Sequence, residues 1–264
     1  MHKGALHIHS TYSDGELSIP QLRETYLAAG CRFICVSDHA DWFDEEHLQH
    51  YLDECAALSD ARFTIVPGLE YPCVDRMHIV GFGATVLTQA IDPSRVIAHI
   101  HAQDAVSVIA HPKDTHFSLI EELPELPQGL EVWNSKYDGR YAPRARTFAL
   151  LARLRARRAD LHAFYGQDLH WRTQYRGLFV HAELPVVTRE TILHALRRGA
   201  FEGEKEGMIL PSSGELPAAL LATMDRAQRR SQRMRALMRS AKRMADLLGL
   251  RVPVRLKAQA RRVM

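Results

Sequence analysis

A chain of 264 residues, 46% hydrophobic and 25% charged, is long enough to bury a large core, which excludes extended disorder for most of it. No apolar run approaches the ~20 residues that span a bilayer, and no basic segment followed by an apolar stretch opens the chain; the expectation is a cytoplasmic protein without signal peptide or transmembrane segment. The net charge of +3 divides unevenly, with 13 Lys and Arg against 3 Asp and Glu in residues 215–264 and 21 against 28 in residues 1–214. An acidic body suits divalent cations, and a basic tail suits an anionic partner or that body.

Taken in chain order, short runs rich in Val, Ile and Phe alternate with amphipathic segments, the pattern of βα units and a mostly parallel sheet. Residues 5–8 read as a strand, 19–29 as a helix ended by Gly30, 33–37 as a strand and 44–58 as a helix. Strands are predicted over 63–66 and 78–82, a proline-started helix over 93–103, and a strand over 105–110 stopped by His111-Pro112. A strand at 130–133, a helix at 143–157, strands at 161–165 and 178–180 and a helix at 189–198 complete an α/β chain of about seven or eight strands. The four cysteines, Cys31, Cys35, Cys55 and Cys73, lack paired C-x-x-C spacing and read as free, buried thiols.

Polar residues fall at one end of these strands, the rim where open α/β and barrel enzymes place their chemistry. His7 and His9, two apart in an extended segment, project to the same side and can share a metal. His99 and His101 repeat the spacing within a helix, where i and i+2 diverge, and read as structural. The first pair continues to Asp14-Gly15, whose turn brings a carboxylate back beside the imidazoles. Ser37-Asp38-His39, Glu70 followed by His78, Ala110-His111-Pro112 and Asp168-Leu169-His170 supply the rest. Asp38 can orient an imidazole from behind, and Glu131 can do the same or carry a proton. Lys113, Lys136, Arg140 and Arg172 are placed to meet an anionic substrate.

The ordered motifs H-x-H-x-x-x-S-D-G, S-D-H, G-x-E, H-I-x-G, A-H-P and D-x-H resemble those of the PHP (polymerase and histidinol phosphatase) domain family over roughly residues 5–202. The resemblance implies a distorted (β/α)7 TIM-like barrel and two or three Zn, Mn or Fe ions, a choice that the imidazole-rich ligand set suits better than Ca or Mg. Carried over, one ion takes His7, His9, Glu70 and Asp168, Glu70 bridges to a second held by His78 and His111, and a third takes Asp14, His39 and His170. The implied activity is a phosphoesterase in which a metal-bridging hydroxide attacks a small phosphorylated metabolite, nucleotide or oligonucleotide end. Gln167 stands where the family usually has a small residue, which leaves the floor of the site open to reshaping. The run Glu131-Val132-Trp133-Asn134 is closer to the carbaryl-hydrolase-like branch, so a carbamate or other non-phosphate ester is an alternative substrate, and a degenerate scaffold with a nucleic-acid-binding tail is a further one.

The division expected is a 1–214 metallohydrolase and a 215–264 helical tail. In that tail Leu220, Met224, Ala227, Met234, Met238, Ala241, Ala245 and Leu248 recur at three- and four-residue steps among Arg and Lys. Such a basic amphipathic helix packs on the body or on a second copy, or binds nucleic acid or an anionic membrane surface.

Overall fold

The apolar runs of the sequence form one twelve-stranded mixed sheet flanked by seven α-helices in a computed structural model that describes residues 1–138 and 143–247. The strands of the first half are β1 (His2–Ile8), β2 (Phe33–Val36), β3 (Asp38–His39), β4 (Thr64–Val66), β5 (Gly68–Pro72) and β6 (His78–Phe82). Those of the second half are β7 (Val106–Ala110), β8 (Gly129–Asn134), β9 (His162–Leu169), β10 (Leu178–Ala182), β11 (Phe201–Lys205) and β12 (Met208–Pro211). The helices are α1 (Ile19–Ala28), α2 (Glu45–Ala57), α3 (Pro93–His101), α4 (Phe117–Glu122), α5 (Ala145–Arg155), α6 (Arg189–Arg198) and α7 (Ala218–Leu247).

Helix starts follow local chemistry. Asp44 accepts the His47 amide at 2.7 Å to cap α2, and Asp92 accepts the Arg95 amide at 3.0 Å ahead of Pro93 in α3. Gly199, at φ 68°, ends α6 in the left-handed conformation that glycine enters freely.

β1 lies centrally, parallel to β2 and β9 and antiparallel to β10. Its Ala5, Leu6 and Ile8 are fully buried with Phe33–Val36 of β2 and Phe164 of β9. The (β/α)7 barrel expected above is corrected to a mixed sheet that does not close: its path runs from β12 to β3, with β2 and β4 attached beside β1. Regular βα alternation fails twice. β5, β6 and β7 pair antiparallel because only Cys73–Met77 connects the first two, too short for a crossover helix. β10, β11 and β12 then form an antiparallel meander. All four cysteines are free and buried, and burial pushes the Cys31 and Cys73 thiols up to about 12.

α7 packs its beginning on the body, where Met224 is 3% exposed and Leu220 and Leu221 lie against the core. Farther along that stripe Met234 and Ala241 are exposed while Met238 and Ala245 are half-buried, and Leu237 and Met244, which lie off it, are exposed. Leu248, the last residue of that stripe, lies outside the described residues.

Candidate metal centre

His7 interrupts β1 where the pairing with both parallel neighbours slips between Leu6 and Ile8, at φ 59°. Asp168 occupies the matching irregularity on β9 at φ 50°, and His111 follows β7 at φ 29°. Non-glycine residues adopt this region at a cost of about 1–3 kcal/mol each. Bulges re-aim side chains, and here they set the direction of His7 and Asp168, while His111 turns in from the position just after β7. His7 and His9 therefore converge, with ring centroids 5.3 Å apart, through a bulge rather than by the simple strand alternation expected.

All nine expected ligand residues meet at this rim. Their candidate ligand atoms lie within 4.8 Å of one another in four groups: His9/Asp14/His39/His170, His7/His9/Asp168, His7/Glu70/His111 and His39/Glu70/His78. No other described residue joins these groups. The grouping differs in detail from the carried-over scheme, because His111 falls with His7, and His78 with His39. Glu70 is the hub: imidazole nitrogens of His78 and His111 stand 3.0 Å from its carboxylate, His39 3.1 Å, His9 3.4 Å and His7 3.5 Å.

Burial would raise the Glu70 carboxyl, yet His7, His111 and His78 hold it well below the ordinary range. Asp168 behaves alike, with His7, His170, His111 and Lys136 overcoming burial. Burial drives His9 well below the usual imidazole value, which favours the neutral ring with a lone pair on one nitrogen. His7 Nε2 and both nitrogens of His9 are buried without a hydrogen-bond partner. Orphaned buried imidazoles facing two carboxylates are the donor set that a transition ion satisfies, so the residues present fit such a metal.

Glu131 stands behind the ligands. Its carboxylate accepts from His7 Nδ1 at 2.9 Å, from the His111 amide at 2.7 Å and from Asn134 Nδ2 at 2.8 Å. His7 Nδ1 faces this carboxylate while its Nε2 lies 3.5 Å from Glu70 in the cluster. Asp38 does not play its expected part. Its carboxylate accepts instead from the Ser10 amide and hydroxyl, each at 2.8 Å, and from Ser13 Oγ at 2.6 Å, because the buried loop bearing Asp14 offers these donors. It thus fixes a loop rather than an imidazole.

Of the four cations expected near substrate, Lys136 is inside the site, its Nζ 3.2 Å from Asp168 Oδ1 and from both ring nitrogens of His170. Lys113 and Arg172 are exposed, one two residues beyond His111 and the other two beyond His170. Arg140 lies outside the described residues. Gln167 does not reshape the floor: the strand directs it away from Asp168, where it accepts from Tyr26 OH at 2.7 Å and donates to the Leu178 carbonyl at 2.6 Å. His99 and His101 bond to the Val86 carbonyl and to Glu125, the structural roles read for them.

The sequence does not reveal what Asn134, Gly15 and Gly166 do at the site. Asn134 Nδ2 also donates to Asp168 Oδ2 at 3.2 Å, tying Glu131 to a ligand. A Cβ at Gly166 would sit 1.6 Å from Glu131 Oε1, and one at Gly15 would sit 2.4 Å from the His9 carbonyl. The Asp14-Gly15 and Gly166 spacings were visible, but only the fold reveals these close approaches.

An α/β sheet whose rim gathers six imidazoles and three carboxylates defines an α/β protein with a candidate metal centre. The PHP domain matches residues 5–151, more than half the chain, and the protein belongs to that family. DNA polymerase/3'-5' exonuclease PolX of Bacillus subtilis (strain 168) is 33% identical over 76 residues, a match spanning 26% of this chain and only 13% of that protein. A two-domain protein from Bacteroides vulgatus ATCC 8482 containing a predicted PHP-like metal-dependent phosphoesterase superposes with a TM-score of 0.57 at 14% identity, over 79% of this chain and 66% of that one. PsfC from Pseudomonas syringae PB-5123 superposes with a TM-score of 0.56 at 14% identity, over 87% and 99%. Both likenesses concern the fold.

Proposed function

We propose that the protein is a metal-dependent phosphoesterase acting on a small phosphorylated substrate. The observation that carries this reading is the set of buried, partnerless nitrogens of His7 and His9 facing Glu70 and Asp168. In this reading His7, His9, Glu70 and Asp168 hold one ion, Glu70 shares a second with His78 and His111, and Asp14, His39 and His170 hold a third; Zn, Mn and Fe(II) all suit the donors. Bound ions supply Lewis acidity toward phosphoryl oxygens and lower the pKa of water.

The chain supplies the rest. Glu131 fixes the tautomer of His7, and Asn134 steadies Glu131 and Asp168 together. Lys136, the cation already among the ligands, takes an anionic oxygen of the substrate, with Lys113 and Arg172 at the mouth. Buried Asp38 holds the turn that presents Asp14. The 215–264 tail, whose helix starts packed on the body, carries an excess of basic residues that in this reading suits an anionic partner.

Metal analysis with parallel hydrolysis of phosphate monoesters, diesters and aryl carbamates tests the proposal. Metal-loaded protein should bind on the order of two or three transition ions per chain and cleave a phosphate ester in a chelator-sensitive way. The paired change His7→Ala/His9→Ala should abolish both while the circular dichroism spectrum stays folded. Fewer than two ions and no chelator-sensitive hydrolysis would overturn the enzyme reading, and cleavage confined to carbamates would replace phosphate as the scissile group.

A further inference from the structure

His111 combines a left-handed backbone, at φ 29°, with a proline as the next residue, which narrows the conformations open to it further. Strained backbone of this kind persists only where neighbouring groups hold it. On one side of the strained residue its own amide donates to Glu131 Oε2 at 2.7 Å. On the other side the Pro112 carbonyl accepts from Arg144 Nη1 at 2.9 Å. Arg144 stands just before α5, 32 residues from Pro112, and belongs to none of the candidate ligand groups. The backbone is therefore gripped on both sides of an imidazole that faces Glu70.

Arg144 also closes a ring of hydrogen bonds. Its Nε donates to Asp138 Oδ1 at 2.6 Å, and Asp138 Oδ2 accepts the Asn134 amide at 3.0 Å. Asn134 Nδ2 donates at 2.8 Å to Glu131 Oε2, the same oxygen that takes the His111 amide. The path from Arg144 through Asp138, Asn134, Glu131, His111 and Pro112 thus returns to Arg144. The ion pair in it is sheltered, with the Asp138 side chain 6% and the Arg144 side chain 19% exposed. A planar guanidinium presents N–H groups in fixed directions to two separate acceptors, which a lysine ammonium does not reproduce. Arg158 offers the contrast. It pairs with Asp160 at 3.0 Å and donates to the Leu126 carbonyl at 2.6 Å, but ahead of the parallel strands β8 and β9 rather than at their ligand-bearing ends.

We infer that Arg144, through Asp138 and the Pro112 carbonyl, is a positioning residue for His111 and sets the affinity of the ion that this imidazole holds, without itself touching metal or substrate. This rests on the metal-binding part of the proposed function and deepens it. The effect is local. Asp14, His39 and His170 contribute no member to the ring, so an ion held by them lies outside the reach of Arg144.

The test is cobalt(II) titration of the full chain, followed by visible absorption and by competition with a chromophoric chelator. Arg144→Met should weaken one bound cobalt at least about tenfold and leave another within about twofold of wild type. The weakened ion should be the one that His111→Ala loses, and in a His111→Ala background Arg144→Met should cost nothing more, because the two changes act through one imidazole. Arg158→Met, which breaks a similar contact at the other end of β8, should leave cobalt binding unchanged. If Arg144→Met fails to fold because Asp138 is left buried and unpaired, Asp138→Asn/Arg144→Met removes both charges and carries the same titration. Unchanged binding, weakening spread evenly over every ion, a further loss in the His111→Ala background or an equal loss from Arg158→Met would each overturn the inference and spare the metal centre. Wild type that binds no cobalt would overturn both.

Discussion

The rim of the sheet and the helix α7 place their charges in opposite ways. At the rim, Glu70 and Asp168 are each 1% exposed and surrounded by imidazoles, so every charge has a partner whose loss would be costly. Along α7, Arg229 pairs with Asp225 in a largely exposed contact at 2.8 Å, and Arg235 reaches the Tyr137 carbonyl at 3.0 Å. Surface contacts of this kind are worth little. Closely partnered charge is thus concentrated where the backbone is strained and the carboxylates Glu70 and Asp168 are buried, whereas α7 carries mostly exposed charge.

That contrast can be broken or sharpened by measurement, beginning with the largest effect. Glu70→Gln removes the carboxylate charge that five imidazoles approach and should lower phosphate-ester hydrolysis by on the order of a thousandfold, with metal content falling in parallel. Met224→Ala, at the packed start of α7, should cost about 2–4 kcal/mol in urea unfolding if α7 truly belongs to the body. Glu131→Gln keeps the shape but weakens the hold on His7 Nδ1, and metal titration should show a loss of about 10- to 100-fold in affinity.

Acidification of metal-free protein probes the same carboxylates. Because Glu70 and Asp168 are held below their ordinary values, the unfolded chain binds more protons than the folded one as acid is added. Their contribution is complete above the ordinary carboxyl range of about 4 to 4.5 and is lost as pH falls through the folded values. Urea midpoints that stay level from pH 6 to 3 would contradict this pairing. The smallest effect is expected at Met244→Ala, exposed on the far part of α7, which should change stability by no more than about 0.5 kcal/mol. A loss equal to that at Met224 would erase the distinction between the two parts of the helix.

Much of the rim was legible because its residue types are chemically scarce and ordered. Nine His, Asp and Glu residues at strand ends converge, and Glu131 stands 2.9 Å from His7 Nδ1. What remained hidden depends on direction rather than identity. Nothing in Ser37-Asp38-His39 tells that Asp38 turns to Ser10 and Ser13, or that Gln167 faces Tyr26. β11 escaped prediction because Phe201–Lys205 is short and carries charged residues and a glycine, and β12 because Met208–Pro211 is only four residues; the antiparallel meander they form with β10 departs from the expected regular barrel. Tyr137 and Trp171 look like ordinary core aromatics until their exposure is known.

The left-handed backbone at His7, His111 and Asp168 has a consequence for how the protein tolerates change. Each of these positions filters substitutions twice, once for a metal-binding side chain and once for a residue willing to adopt that conformation. In a saturation library scored for folding alone, Gly and Asn should be enriched there over Val and Ile, and scoring for activity should erase the glycines. The same strain should let the rim of the unloaded protein open ahead of the sheet's core, so its amides should exchange with deuterium ahead of those in β2 and slow down when metal is added.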